Sequence, residues 1–273
     1  MGLYEEMEQL LKEEPLDLIH AATLLGRLGP SPSEVRPVSE ELDRIGAEVR
    51  DRLQDAPPDE DPLQVLNRYL FDDFGLRGNE DDYYDPRNSF LGEVLGRKTG
   101  LPITLSLVYI EAGRRAGLRL AGVGFPGHFL VRFESEGGPR FVDPFHAGRV
   151  LEEEDLKGLL RERSGQEIPL DPAFLRPASE REILTRMLHN LKGLYMTSEE
   201  FEKLLQVLDL LLLLDPQTSL DLRDRGLVHY ELGEFPKARN DLLAYLELDP
   251  SAGDAEVIQE HLNDIESRLR MFR

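Results

Sequence analysis

The fold is decided by the stretch "GLPITLSLVYIEAGRRAGLRLAGVGFPGHFLVRF", residues 100–133, because its hydrophobic pattern changes halfway along. Pro102 is the expected first-turn proline of a helix that runs to Arg115, and Gly117 is the expected stop. After Gly117 the apolar residues alternate with polar ones, which is typical of strands. Three strands are predicted, over residues 118–125, 128–135 and 140–145, with the turn "EGGP" between the last two. The stretch therefore predicts a helix followed by an antiparallel sheet.

Helical spacing of apolar residues dominates the chain before this stretch. Helices are predicted over residues 16–28, 38–53, 62–74 and 86–98, and after the sheet over 151–163. Asp85 is the expected N-cap of the fourth helix. Residues 30–37 form a breaker-rich loop between the first two helices, and the proline-rich segment 168–180 predicts a domain boundary. We expect one domain over residues 1–172 and a second over 180–273.

An internal repeat fills the C-terminal part. "LLLLDP" ends at Pro216 and "YLELDP" ends at Pro250, 34 residues later. This is the tetratricopeptide period, in which helix pairs stack because neither helix buries its apolar face alone. Gly226 and Ala238 occupy the small positions of the second copy, whereas the first copy, residues 185–215, is weaker. The pattern predicts an all-α tail of two repeats with a capping helix over 254–270. The small positions of the weaker copy hold larger residues, Lys192 and Leu204.

Charge and composition exclude several classes of function. The 273 residues include 53 acidic and 32 basic side chains, a net charge of -21, and no cysteine. Such a chain is repelled by phosphate backbones and anionic lipid, so neither a nucleic acid nor a membrane surface is an expected partner. Without cysteine there is no disulfide, thiolate metal site or thiol catalysis. The acidic N-terminus is unlike a secretory signal, and the most apolar run, residues 204–215, is short; a cytoplasmic location is expected.

Three features in the middle of the chain can carry chemistry: the helix tip at Pro102–Ser106, His128 and Asp143. A hairpin turn centred on residues 136–137 places His128 opposite Phe145. Asp143 is then its diagonal neighbour on the same face, about 7 Å away. A register slip of one residue would put the two side chains on opposite faces. A histidine and an aspartate on paired strands beside a helix start is the layout of a nucleophile–His–Asp triad.

Three longer stretches resemble a known family. They are "YYDPRNSFLGEVLGRKTGLPITLSLVYIEAGRRAGL", "GVGFPGHFLVRF" and "FVDPFHAGRVL", at residues 83–118, 122–133 and 141–151. They look like the signature stretches of the transglutaminase-like superfamily, and more closely of its bacterial SirB-type subfamily, which carries C-terminal tetratricopeptide repeats. The resemblance covers nearly the whole chain. It implies an α+β, papain-related core with a helical N-terminal leader, followed by an all-α tail.

The resemblance also implies site residues. His128 matches the superfamily's catalytic histidine and Asp143 matches its aspartate. The nucleophilic cysteine lies at the start of the helix, and counting back reaches Pro102, whose neighbours carry no thiol. We therefore expect neither transglutaminase nor thiol-protease activity. The alternative is a cysteine-independent amidohydrolase or peptidase in which Thr104 or Ser106 is the nucleophile. Equally, these hydroxyls can support the helix start, and the His–Asp pair can be a buried structural contact.

The remaining predictions concern binding. The residues expected to line the groove are Tyr83, Tyr84, Asp85 and Asn88. Asp85 or Asn88 can instead cap a helix while the tyrosines pack. A metal site is conceivable because "DPFH" places a carboxylate close to an imidazole; its ligands would be His128, Asp143, His146 and Asp85. No helical His-x-x-x-His spacing supports it, so neither a metal nor a cofactor is predicted. The favoured function is binding of a protein or peptide partner with a basic segment, in a regulatory role, through the core cleft and the repeat groove.

Overall fold

The computed structural model describes residues 2–29 and 38–271, so the predicted loop at 30–37 lies outside the described residues. Contacts group the chain into two compact units. The core is Pro15–Met187, and the tail comprises the residues from Leu188 onward together with the described residues up to Glu14. In the tail, helix α1 (Leu3–Leu10) contacts one of the repeat helices. The predicted domain bounds, 1–172 and 180–273, stay a prediction.

The core contains six α-helices among the described residues. They are α2 (Leu18–Leu24), α3 (Val38–Asp55), α4 (Pro62–Asn67), α5 (Leu91–Arg97), α6 (Pro102–Arg115) and α7 (Glu153–Ser164). A 3-10 turn extends α2 to Leu28, and a π-helical turn extends α4 to Asp73, so the predicted spans 16–28 and 62–74 are largely helical.

The predicted helix over residues 86–98 is wrong in its first half. Pro86–Ser89 form a 3-10 turn, Phe90 is extended at φ -106° and ψ 119°, and only then does α5 begin. The carbonyl of Asn88 accepts hydrogen bonds from the Thr104 hydroxyl at 2.8 Å and from the Leu101 N–H at 3.4 Å. Because α6 uses this carbonyl, it is not available to continue the first helical turn.

Four helical turns of the core begin in the same way, with an aspartate followed by proline. The carboxylate of each aspartate accepts the backbone N–H two residues later, at distances of 2.8–3.1 Å. We call these turns the Asp-Pro caps; their aspartates are Asp61, Asp85, Asp143 and Asp171. Proline has no N–H to lose and its φ suits a first turn, so each cap is encoded by local sequence.

The main sheet is antiparallel, with strands in the order β3-β4-β5-β6. They are β3 (Leu120–Val123), β4 (Leu130–Ser135), β5 (Gly138–Asp143) and β6 (Arg149–Leu151). Val131 pairs with Val142 and Ser135 with Gly138, which confirms the predicted hairpin register. A second ladder, β1 (Arg77–Gly78) with β2 (Thr99–Gly100), is parallel and only two residues long; the sequence did not predict it.

Several strand boundaries differ from the prediction. Strand β3 is shorter at both ends than 118–125, and β5 ends at Asp143 because Pro144–His146 form a 3-10 turn. Strand β4 begins at Leu130 rather than at His128, because residues 125–128 form a turn closed by the His128 N–H and the Phe125 carbonyl at 3.1 Å. Gly127 in this turn has φ +73°, which glycine adopts without strain. Strand β6 was not predicted, and its last residue, Leu151, was assigned to the helix that begins at Glu153.

Helix α6 is the centre of the core. It is apolar on nearly every side and almost entirely buried, as expected of a helix enclosed by other elements. It contacts α3, α5, strands β3 and β4, and the 3-10 turn Pro144–His146 that follows β5. The phenol of Tyr109 donates a hydrogen bond to Asn67 at 2.8 Å. Through these contacts α6 fixes the end of the sheet that carries His128 and Asp143.

The tail confirms the predicted repeats. Its helices are α8 (Glu180–Thr197, which begins in the core), α9 (Phe201–Leu214), α10 (Ser219–Glu231), α11 (Phe235–Leu248) and α12 (Ala255–Met271). Helix α10 contacts α9 and α11, and α11 contacts the capping helix α12. A Cβ on Gly226 would lie 2.7 Å from Leu242 Cδ2, and Ala238 is fully buried, so both small positions are close helix contacts.

The large residue at a small position of the weaker repeat has a specific explanation. The ammonium of Lys192 lies 2.6 Å from a carboxylate oxygen of Asp221 and 2.6 Å from one of Asp224. Its side chain is largely buried, and so are both aspartates. An ion-pair contact between α8 and α10 therefore replaces the close packing that a small residue would give.

Candidate functional site

The predicted histidine–aspartate contact is present. His128 Nε2 lies 2.9 Å from Asp143 Oδ2. Asp143 is the last residue of β5, and His128 lies two residues before β4, in the turn that precedes it. The hairpin register therefore brings the two side chains together across the end of the sheet, although His128 itself is not in a strand.

Asp143 is a fully occupied hydrogen-bond acceptor. Oδ2 also accepts from His146 Nδ1 at 2.7 Å, and Oδ1 accepts the backbone N–H groups of Phe145 at 3.0 Å and His146 at 3.4 Å. The residue is only 2% exposed. Burial alone would raise the pKa of Asp143, but the hydrogen bonds and charges of the two histidines outweigh it and lower that pKa. The carboxylate is therefore ionised at neutral pH.

One ring nitrogen of His128, Nδ1, is available to a bound ligand. Because Nε2 faces an ionised carboxylate, the hydrogen-bond pattern assigns the proton to Nε2 and a lone pair to Nδ1. Nδ1 has no hydrogen-bond partner within the described chain and is not fully buried. It can therefore accept a hydrogen bond, or a proton, from a bound ligand.

Neither candidate hydroxyl is arranged as a nucleophile. The Thr104 hydroxyl accepts the Leu101 N–H at 3.0 Å and contacts the Asn88 carbonyl as a donor at 2.8 Å, so it closes the first turn of α6. The Ser106 hydroxyl points to the Phe129 carbonyl at 3.5 Å. Both side chains are fully buried, and neither bonds to His128. These contacts give the hydroxyl-nucleophile hypothesis no support.

The predicted groove residues fall into two groups. The Asp85 carboxylate caps the turn Pro86–Ser89 and binds Arg97 at 2.9 Å, so it holds the chain together. Asn88 is also fully buried and hydrogen bonded. By contrast, Tyr84 is 80% exposed, and Tyr83 is partly exposed beside it. Only the tyrosines are open to a ligand.

An aromatic contact joins the tyrosines to the histidine site. The ring of Phe145 lies edge-to-face with Tyr83, at a centroid distance of 6.0 Å, and with His128 at 6.3 Å. It contacts His146 at 5.2 Å. Phe145 therefore forms one continuous surface with Tyr83 and the two imidazoles.

The second histidine was only a weak candidate in the sequence. The ligand atoms of His128, Asp143 and His146 lie within 4.8 Å of one another, and two imidazoles with one carboxylate can hold a divalent cation. The two contacts to Asp143, at 2.9 and 2.7 Å, are also ordinary hydrogen bonds. The spacing in "DPFH" placed His146 near the aspartate, but periodicity gave no sign that both imidazoles share one oxygen.

Comparison with known proteins agrees with this architecture. Residues 36–189 match the family "Transglutaminase-like superfamily", and residues 191–263 match "Tetratricopeptide repeat". The first match spans the whole histidine site. Among residues 2–29 and 38–271, none of the helices is long and apolar enough to cross a membrane.

Several named relatives are similar to the chain. A UPF0162 protein of Xylella fastidiosa is 44% identical over 206 residues, covering 74% of this chain and 73% of the relative. A UPF0162 protein of Vibrio cholerae is 26% identical over 251 residues, covering 92% and 93%. Human F-box only protein 21 is 29% identical over 227 residues, covering 76% of this chain but 35% of that protein. The family match extends over more than half of the residues, and the chain therefore belongs to the transglutaminase-like superfamily, with UPF0162 proteins among its relatives.

Proposed function

We propose that this protein binds a peptide segment of a protein partner beside His128 without forming a covalent intermediate. One observation carries the proposal: His128 and Asp143 are hydrogen bonded to each other, whereas the Thr104 and Ser106 hydroxyls contact backbone groups and not His128. Such a site retains a hydrogen-bonding imidazole, with Nδ1 available, and adjacent exposed tyrosines. Aromatic rings with polar tips are common anchors in protein interfaces.

Site-specific photo-crosslinking tests this proposal. A photoreactive phenylalanine replaces Tyr84, and in a control protein it replaces Ile168, which is also exposed and belongs to the core. We expect a discrete cross-linked partner from Tyr84 that Ile168 does not give, and we expect His128→Asn to weaken it. Equal cross-linking from both positions, or a yield unchanged by His128→Asn, would show that the partner does not bind at the histidine site.

The tetratricopeptide tail is a second contact region in this proposal. Tetratricopeptide helix pairs present surfaces suited to extended or helical peptides. With a net charge of -21, the chain should attract a basic segment, and the affinity should fall as salt rises. Once cross-linking has identified the partner, its affinity for the wild-type protein at several ionic strengths tests this expectation. An affinity that is independent of salt would contradict a basic segment.

The hydrolase alternative, with Thr104 or Ser106 as nucleophile, stays a prediction, as does the cytoplasmic location. Turnover of amide and peptide substrates by the wild-type protein, compared with His128→Asn, tests the enzyme directly. We expect no difference between the two, because both hydroxyls are enclosed in the core.

A further inference from the structure

Arg186, on the core segment of α8, is a partly buried cation that no carboxylate of the described residues neutralises. Its Nη1 donates to the Phe125 carbonyl at 3.0 Å, and the guanidinium lies over the Phe129 ring, 5.8 Å from the centroid. Burial lowers the pKa of Arg186; the Tyr83 phenol acts in the opposite direction, and no carboxylate does so. A guanidinium has five N–H donors, so most of its hydrogen-bonding capacity remains available.

The lack of a carboxylate partner for Arg186 is unexpected in a chain with 53 acidic residues. Removing a charge from water without a counter-charge costs free energy, so an acidic neighbour would be an easy way to stabilise Arg186. Nearby Arg176 has such a neighbour: its Nη1 lies 3.0 Å from Glu182, and this contact lowers the pKa of Glu182 to about 2. Of these two arginines, Arg186 is the one without a carboxylate partner among the described residues.

Arg186 lines a cavity of about 210 Å³. The other lining residues are Gly124, Phe129, Ala173, Phe174, Arg176, Ala178 and Glu182. Binding sites for whole small molecules usually exceed 300 Å³, so this cavity suits one side chain or a chain terminus. Its walls combine aromatic and small residues with the paired Arg176 and Glu182, and the guanidinium of Arg186, which has no carboxylate partner, supplies the charge to hold an anion.

The cavity adjoins the histidine site through one carbonyl. The Phe125 oxygen accepts both from Arg186 and from the backbone N–H of His128, at 3.0 and 3.1 Å. Arg163 lies beside the same turn, because a Cβ on Gly127 would meet its Cδ at 2.8 Å. Burial raises the pKa of the Tyr83 phenol, and the charges of Arg186 and Arg163 act in the opposite direction. The turn that carries His128 is thus flanked by positive charge.

We propose that Arg186 binds a carboxylate of the peptide that occupies the histidine site, inside this cavity, while His128 Nδ1 contacts a neighbouring part of the same peptide. This inference rests on the proposed function. A carboxylate matches the two-pronged geometry of a guanidinium and supplies the missing counter-charge. It can come from an acidic side chain or from a C-terminus.

Solution NMR of the full chain tests the anion site without a known peptide. The Nε–Hε resonance of Arg186, assigned with Arg186→Lys, is followed while sodium acetate is added, with sodium chloride of equal ionic strength as the control. We expect a saturable shift with acetate at Arg186 and none at Arg176, which Glu182 already occupies. An Arg186 resonance that responds equally to acetate and chloride would overturn the inference. The titration itself follows the wild-type protein, and Arg186→Lys serves only to identify the resonance.

Peptide pools separate the two carboxylate sources. One pool has a free C-terminus and no acidic side chain, a second has an internal glutamate and an amidated C-terminus, and a third has neither. We expect one acidic pool to bind at least tenfold more tightly to wild type than to Arg186→Gln, and we expect Arg119→Gln, which changes an exposed arginine outside the cavity, to bind like wild type. Equal binding of all pools, unchanged by Arg186→Gln but lost in His128→Asn, would reject the anion site and leave the proposed function standing. A saturable acetate shift without binding of any pool would reject the proposed function instead.

Discussion

Replacing Asp143 by asparagine should destabilise the protein by about 2 kcal/mol. The amide oxygen can keep the backbone N–H bonds of the cap, but the NH2 group then faces two imidazole N–H donors. Each lost bond to a charged acceptor is worth about 1.5–3 kcal/mol. His128 can recover a neutral bond of about 1 kcal/mol by changing tautomer. His146, which is 48% exposed, can hydrogen bond to water instead. The expected net loss therefore lies near the middle of the range of about 1.5–3 kcal/mol.

Urea and thermal unfolding measure this loss, with Asp171→Asn as the matched control. Asp171 forms the same cap at 2.8 Å, but it is exposed and has no histidine partner. We expect the control to change the free energy of unfolding by less than about 0.5 kcal/mol. For a chain of this size, the loss at Asp143 corresponds to a melting temperature about 4–8 °C lower.

The pH dependence gives an independent check. The folded pKa of Asp143 lies below its unfolded value of about 3.9. Its contribution is therefore present above that value and is lost as pH falls through the folded pKa. The difference between wild type and Asp143→Asn should shrink below about pH 4. If Asp143→Asn and Asp171→Asn were equally stable at pH 7, the imidazole contacts would contribute nothing and this reasoning would be refuted.

Three further substitutions test other parts of the molecule. Lys192→Met should lower the free energy of unfolding by about 2 kcal/mol, because it leaves Asp221 and Asp224 close together without their shared cation; a melting temperature equal to wild type would contradict the ion pair. Gly226→Val should cost about 1–3 kcal/mol by forcing Leu242 away, and unchanged urea unfolding would show that α10 and α11 do not pack this closely. Thr104→Val should cost about 1–2 kcal/mol through loss of the bonds at the start of α6, whereas Thr104→Ser should restore them; thermal unfolding in which serine behaves like valine would disprove this role.

Much of the fold was predictable because it depends on local patterns. The period change after Gly117 gave the helix and the hairpin, and the turn at residues 136–137 gave the register that joins His128 to Asp143. The 34-residue repeat gave the tail helices. The prediction failed where distant segments decide, as at Phe90, where α6 uses the carbonyl of Asn88 that a continuous helix would need.

The rest of the site depends on contacts that no local pattern encodes. Arg186 lies 58 residues after His128 on a helix whose periodicity only indicates a buried face. Its contact with the Phe125 carbonyl follows from how α8 packs on the core. The sequence shows His146 as a neighbour of Asp143, but the sharing of one carboxylate oxygen by two imidazoles depends on the 3-10 turn Pro144–His146 and on the position of His128.

The Asp-Pro caps provide a structural reason for the histidine–aspartate pair. In three of them the second carboxylate oxygen reaches a distant cation or imidazole: Asp61 binds Arg140, Asp85 binds Arg97 and Asp143 binds His128. The aspartate at the site is thus one copy of a construction that the core uses elsewhere with no connection to the histidine site. Its contacts with the cap and with His128 serve folding whether or not a nucleophile is present. The histidine–aspartate pair is therefore not, by itself, a mark of catalysis.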